Sequence, residues 1–220
     1  MVYSCMVRLW SLGFGASMLL PLAASAATGA AWILSAAQRA AVERGEVVVV
    51  AERGAAPPGQ PAAETSAAVR VAATPEAVFD VLTDCAAAPA WMPHLVECRV
   101  LETDAAGTSE LVAHRIHYGW FAPRIDYVFR THLADRRRIT FENVSGDLAQ
   151  NDGVWALEGA ADGASTLVTY TVRARPRFYV PQWLYRRAVR AELPDMLRAL
   201  RQRAEIRSPS RPQTGSTAPP

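Results

Sequence analysis

The chain has 220 residues, half of them hydrophobic, enough for one domain with a sizeable core. Its formal net charge of +2 excludes the global bias of a protein built to coat nucleic acid or an acidic surface. Every basic residue is arginine, and with so much alanine this reads as GC-rich coding and a bacterial source.

Met1 to Ala26 has the pattern of a secretory signal peptide. Arg8 supplies the positive start, LWSLGFGASMLLPLA the apolar stretch, and Ala24-Ser25-Ala26 a small-residue cleavage site that leaves Ala27 as the mature start. The apolar run is short for a membrane span, and Gly13, Gly15 and Pro21 interrupt it. The expected location is therefore periplasmic or secreted. Residues 27–45 form an N-terminal segment with a helical pattern over Ala30 to Arg44, which Gly45 ends.

Glu46 to Ala51 is a β-branched run that predicts a strand. Ala55 to Thr65, rich in Pro, Ala and Gly, predicts a surface loop, and Ser66 to Ala73 a second strand. Thr74-Pro75 then opens a helix, with Thr74 at the N-cap and Val78, Phe79, Val81 and Leu82 on its buried face. An alanine-rich continuation breaks at Pro89 and stops at Met92-Pro93.

Six further strands follow with turn residues between them, spaced as an antiparallel meander: Leu95 to Thr103, Ser109 to Tyr118, Arg124 to Leu133, Arg138 to Val144, Gln150 to Glu158 and Thr166 to Arg173. In the third of these, Ile125, Tyr127, Phe129 and Thr131 face one way, Asp126, Arg130 and His132 the other. Pro181 to Arg207 is the one long helical period. Tyr185, Val189, Leu193, Met196, Leu200 and Ala204 line one face, and Leu184, Ala188 and Leu197 widen it. At about 27 residues it would reach roughly 40 Å. Pro194 inside it predicts a bend or break near Arg190 to Leu193, or the start of a second helix. The tail, residues 207–220, is rich in Ser, Pro and Thr and is expected to be disordered.

The order of elements, with ATPEAVFDVLTD, AWMPHLVECRVLE, GVWALEG and VPQWLYRRAVRAELPDMLRALRQRAE, resembles the START-like superfamily, which includes the birch-pollen-allergen fold, polyketide cyclases and coenzyme-Q-binding proteins. The likeness covers about Glu46 to Glu205, and the START-like domain is placed at 46–206. It implies an α+β helix-grip fold: a curved antiparallel β-sheet wrapped around the long C-terminal α-helix, with a cavity for a hydrophobic molecule between them. The Ala55 to Thr65 interruption departs from the family's shorter connection.

Motifs for chemistry are sparse. His114 and His117 fall on opposite faces of a strand, so they form no metal edge and read as polar sheet residues; no metal site and no cofactor is expected. No nucleophile elbow or phosphate loop is present. Asp126, Arg124, Arg115 and Tyr127 suggest an acid/base set, but alternation turns Asp126 away from Tyr127 and leaves surface ion pairing as the better use. Cys85 and Cys98 either form a disulfide, which an oxidising compartment allows, or stay as two small buried thiols.

The aromatic set is more informative. Trp120, Tyr127, Phe129, Phe141, Trp155 and Tyr170 come from successive strands and a loop; with Val189, Leu193 and Leu197 of the helix they are the expected ligand-binding residues. The expected function is an exported binding protein that holds a lipid, quinone or polyketide-like molecule. The alternatives are a cyclase/dehydrase-type enzyme and an accessory domain with a closed core. Ten arginines against three acids between Arg173 and Arg207 suggest contact with an anionic membrane; nucleic acid is not an expected partner.

Overall fold

Eight strands pair into one antiparallel sheet: β1 (Val48–Arg53), β2 (Ala63–Val71), β3 (Leu95–Thr103), β4 (Ser109–Ile116), β5 (Ile125–Ala134), β6 (Arg138–Gly146), β7 (Leu148–Gly159) and β8 (Thr166–Pro176). Their order across the sheet is β1-β2-β8-β7-β6-β5-β4-β3. Among the described residues, three α-helices accompany it: α1 (Ala36–Glu43), α2 (Pro75–Thr83) and α3 (Gln182–Arg207). The computed structural model describes residues 32–53, 63–120, 124–161 and 163–208. The expected signal peptide, most of the Ala55 to Thr65 loop and nearly all of the tail lie outside those residues.

The topology follows from one long jump. After β2 the chain passes through α2 and a 3-10 turn at Ala88–Ala90 to the far edge, then returns hairpin by hairpin until β8 pairs with β2. β2 starts earlier than its composition suggests. Its alanines carry little strand propensity, but the ladder with β8 runs from Glu64↔Arg173 to Val71↔Thr166. The Arg173 guanidinium also pairs with Glu64 at 2.5 Å. Tertiary pairing thus overrides local preference, and the expected loop gives up its last residues to the sheet. The first strand is likewise displaced, to Val48–Arg53.

α1 is shorter than the expected helix because Ser35 caps it, in a capping box closed by Gln38. Leu34 and Val42 cover Ala68 and Leu167 on one face of the sheet. The opposite face carries the main core. There Ala67, Val69 and Val71 of β2 meet Val78, Phe79 and Val81 of α2 and Leu197, Leu200 and Ala204 of α3. α2 begins as its sequence requires: the Thr74 hydroxyl accepts from the Ala77 N–H at 3.3 Å, and Pro75 takes the first turn.

α3 continues through Pro194 instead of ending or restarting there. Proline removes only the bond that the Arg190 carbonyl would accept. Leu193 and Met196 on either side of it pack against the core. The C-terminal half is fastened at two points. Arg207 donates to the Asp84 carboxylate at 2.6 Å, and Glu205 accepts from the Ala72 N–H at 3.0 Å. The Arg207 contact holds the Asp84 carboxyl below the usual carboxylate range.

Cys85 and Cys98 are joined by a disulfide, with Cα atoms 5.4 Å apart. The bridge ties the end of α2 to β3 and closes a loop that contains Trp91, Met92 and Pro93. A bridge across a sequence separation of 13 is expected to stabilise the fold by about 3 kcal/mol through the unfolded state. Urea unfolding of the Cys85→Ala/Cys98→Ala variant should show that loss, and its midpoint should no longer respond to reductant. An unchanged midpoint would mean that the bridge carries no stability.

Candidate functional site

Strand alternation selects the site. On the face that meets α3, β4 presents His114 and Ile116, β5 presents Ile125, Tyr127 and Phe129, and β6 presents Phe141. β7 adds Asn151 and Trp155, β8 adds Tyr170, Val172 and Ala174, and β2 adds Thr65. Glu192, Leu193 and Met196 of α3 close the space from the helix side, and Met92 and Pro93 from the bridged loop. The cavity they line is about 330 Å³ and partly open. Among the described residues, the concave face leaves this space between sheet and helix.

The aromatic wall is continuous. Trp155 and Tyr170 stack with ring centroids 4.0 Å apart, Phe141 stacks on Tyr170 at 6.1 Å, and Phe129 meets Phe141 edge-on at 6.2 Å. Gly153 makes room for it. It pairs with Phe141 across β6 and β7, and a Cβ there would strike the Phe141 ring and the Thr171 carbonyl.

Tyr127, Phe129, Phe141, Trp155, Tyr170 and Leu193, all expected at the site, line the cavity. Two others do not. Trp120 is 96 % exposed and lies outside the cavity wall. It sits past Gly119, beyond the Ile116↔Ile125 pair that ends the hairpin, so no strand alternation aims it inward. Leu197 is fully buried, one helical turn deeper than Leu193, in the core below the cavity. Val189 belongs to α3, and its side chain lies outside the described residues.

The sequence reading passed over His114. β4 ends at Ile116, so His117 lies past the strand and is exposed, whereas His114 is turned into the cavity and is more than a polar sheet residue. The available signal was parity: His114 shares a face with Val112 and Ile116 and lies opposite Tyr127. Its Nδ1 is 3.1 Å from the Tyr127 hydroxyl, and its ring packs edge-on against Phe129 at 4.8 Å. Burial pushes its pKa down to about 4. Burial also pushes the Tyr127 and Tyr170 hydroxyls up, and Tyr118 is pushed up by burial and by the neighbouring Glu192 carboxylate. At neutral pH these groups are uncharged hydrogen-bonding partners.

The charged residues considered for acid/base work lie outside this cavity wall. Arg115 binds the Asp126 carboxylate at 2.8 Å and also pairs with Glu97, and Arg124 reaches Asp126 at 3.4 Å. They form an ion-pair ladder across β3, β4 and β5. Among the described residues, no three His, Cys, Asp or Glu side chains gather as a metal would require.

Neutral burial of His114 makes stability depend on pH. Unfolded, the imidazole takes a proton near 6.5; folded, only near 4. The unfolded state therefore holds more protons between those values. The contribution is complete above about pH 6.5 and lost as pH falls toward 4, by up to about 3 kcal/mol. Chemical denaturation of the wild type and of His114→Gln at pH 7.5 and 4.5 should show a smaller pH effect in the variant. Identical profiles would show that His114 titrates as a solvated residue.

The family described as polyketide cyclase / dehydrase and lipid transport matches residues 71–201. No curated protein matches the chain. The fold is similar to that of a STAR-related lipid transfer protein from Xanthomonas axonopodis, with 24 % identity and a TM-score of 0.59, over 72 % of this chain and 93 % of that one. It is similar to the Zhui aromatase/cyclase of a Streptomyces species, with 18 % identity and a TM-score of 0.55, over 66 % and 94 %. A START superfamily protein from Mycobacterium smegmatis shares 19 % identity, with a TM-score of 0.57, over 66 % and 99 %. These likenesses show the helix-grip fold. With most of its helix-grip domain matched, from the end of β2 to the last turns of α3, the chain belongs to the polyketide cyclase / dehydrase and lipid transport family.

Proposed function

We propose that this chain is an exported binding protein that holds a hydrophobic small molecule, such as a lipid, a quinone or a polyketide-like compound, between its sheet and α3. The observation that carries the reading is the cavity of about 330 Å³, walled largely by aromatic and aliphatic side chains. That volume lies at the small end of the range of about 300–1,000 Å³ usual for ligand pockets.

Holding is favoured over conversion. The pair best placed for proton transfer is His114 and Tyr127, and burial biases both toward their neutral forms: the imidazole is a weak base at about 4, and the phenol is a weak acid. Export rests on the Met1 to Ala26 pattern, and a disulfide suits an oxidising compartment. Full-length protein expressed in a Gram-negative host should appear in the periplasm with Ala27 at its N-terminus. Native mass spectrometry should show a copurifying hydrophobic mass, lost in Leu193→Arg because a buried unpaired charge is costly. A chain that begins at Met1, or a wild type with no bound mass under mild extraction, counts against export or binding respectively.

The same reading includes peripheral contact with an anionic membrane through the arginine-rich C-terminal region. Several arginines are already engaged, Arg173 with Glu64, Arg198 with Asp195 and Arg207 with Asp84, so the contact does not rest on charge alone. Tyr179 and Trp183, 77 % and 69 % exposed, sit in the approach to α3 and its first turn. Such aromatics favour the membrane–water interface. Each arginine near the headgroups adds about 1 kcal/mol, weakened by salt. Co-sedimentation should favour phosphatidylserine-containing over pure phosphatidylcholine vesicles at low salt and fall with added salt or with Trp183→Ala. Equal binding to both vesicle types, or none, would leave the arginines as solubilising charge.

A further inference from the structure

Thr65 is a polar group of the cavity wall that the fold leaves unused. The residue is 3 % exposed, and its Oγ1 has no hydrogen-bond partner. The β2 alternation that sends Ala67, Val69 and Val71 into the core also turns Thr65 to that face, where it lines the cavity. Its neighbour Ser66, on the other face, has a satisfied hydroxyl, paired with Thr171 at 3.1 Å. A valine would occupy the same space on a strand without burying an unpaired hydroxyl.

The charge pattern around it is equally specific. No arginine is among the described residues that line the cavity, and the sequence has no lysine. The one carboxylate among the described wall residues, Glu192, is engaged by the Tyr118 hydroxyl. An anion brought into this space would find no counter-charge among the described wall residues and would face Glu192, and burying such a charge is costly. A neutral body can lie against the stacked Trp155 and Tyr170 rings, and a neutral oxygen can accept the Thr65 proton.

We propose that the cavity selects an uncharged ligand, with its apolar body against Trp155 and Tyr170 and a hydroxyl or carbonyl oxygen hydrogen-bonded by Thr65 Oγ1. It discriminates against the carboxylate of the same body. This rests on the binding-protein reading and narrows its ligand class.

Calorimetric titration of the full chain at pH 8 with naphthalene, 2-naphthol and 2-naphthoate tests it, using the wild type, Thr65→Val and Thr65→Ser. In the wild type, 2-naphthol should bind at least about tenfold tighter than 2-naphthoate, as expected for burial of an uncompensated charge. Thr65→Val should lose roughly five- to tenfold for 2-naphthol, the worth of one hydrogen bond, and nothing for naphthalene. Thr65→Ser should keep most of the 2-naphthol affinity. The melting temperature of Thr65→Val without ligand should equal or exceed that of the wild type, which also shows that the variant is folded. Equal affinity for 2-naphthoate, or equal weakening of 2-naphthol and naphthalene by Thr65→Val, would overturn the ligand class alone. Binding of none of the three probes to the wild type would overturn the cavity-binding reading together with it.

Discussion

The packing of the C-terminal half of α3 is the contact on which the rest of the molecule depends. Leu197, Leu200 and Ala204 are fully buried against β2 and α2, and Arg207 and Glu205 tie the same half to Asp84 and to the Ala72 N–H. Large-to-small changes at such positions typically cost about 2–5 kcal/mol, so this half is an anchor. The preceding turns, with Leu193 and Met196, lie over the cavity instead of a filled core. One helix therefore does two jobs along its length. It closes the core at one end and roofs the cavity at the other.

The sheet supplies the walls by the same economy of means. Because side chains alternate along a strand, every second residue of β4 to β8 is committed to the concave face. The chain fills those positions with rings and a few neutral polar groups, and puts its ion pairs on the other side. Arg115 and Asp126, adjacent in sequence to His114 and Tyr127, are the clearest case: one step along either strand changes a surface ion pair into a cavity hydrogen bond. A one-residue slip in β4 or β5 would exchange the two sets and bury the charges. Register is thus a determinant of the site as much as of the fold.

That regularity explains what was legible in the sequence. The eight strands, the Thr74 cap and the α3 stripe all follow from local periodicity and capping, and the aromatic wall follows from parity along the strands. Four features did not. Trp120 lies past the end of a hairpin, where parity carries no information. The start of β2 is set by β8, more than a hundred residues away in the chain, and alanine does not advertise it. His114 looked like a surface residue by type, and only its neighbours of like parity and its cross-strand partner Tyr127 indicate otherwise. The bridging of Cys85 and Cys98 also depends on a Cα separation that composition does not contain.

An unfilled apolar space is energetically unfavourable, since its lining forgoes dispersion contacts that a close-packed core would make. At 330 Å³ the loss is large enough that the fold must be secured elsewhere. It is secured by the strand ladders on both sides of the wall, by the disulfide that fixes the loop of Met92 and Pro93, and by the anchored half of α3. Gly153 also contributes to the shape, because a side chain there would displace Phe141. A bound molecule would return the missing contacts to the rings and a partner to Thr65. For a molecule held as proposed, binding and completion of the core would be one event, with a free energy that adds directly to that of folding.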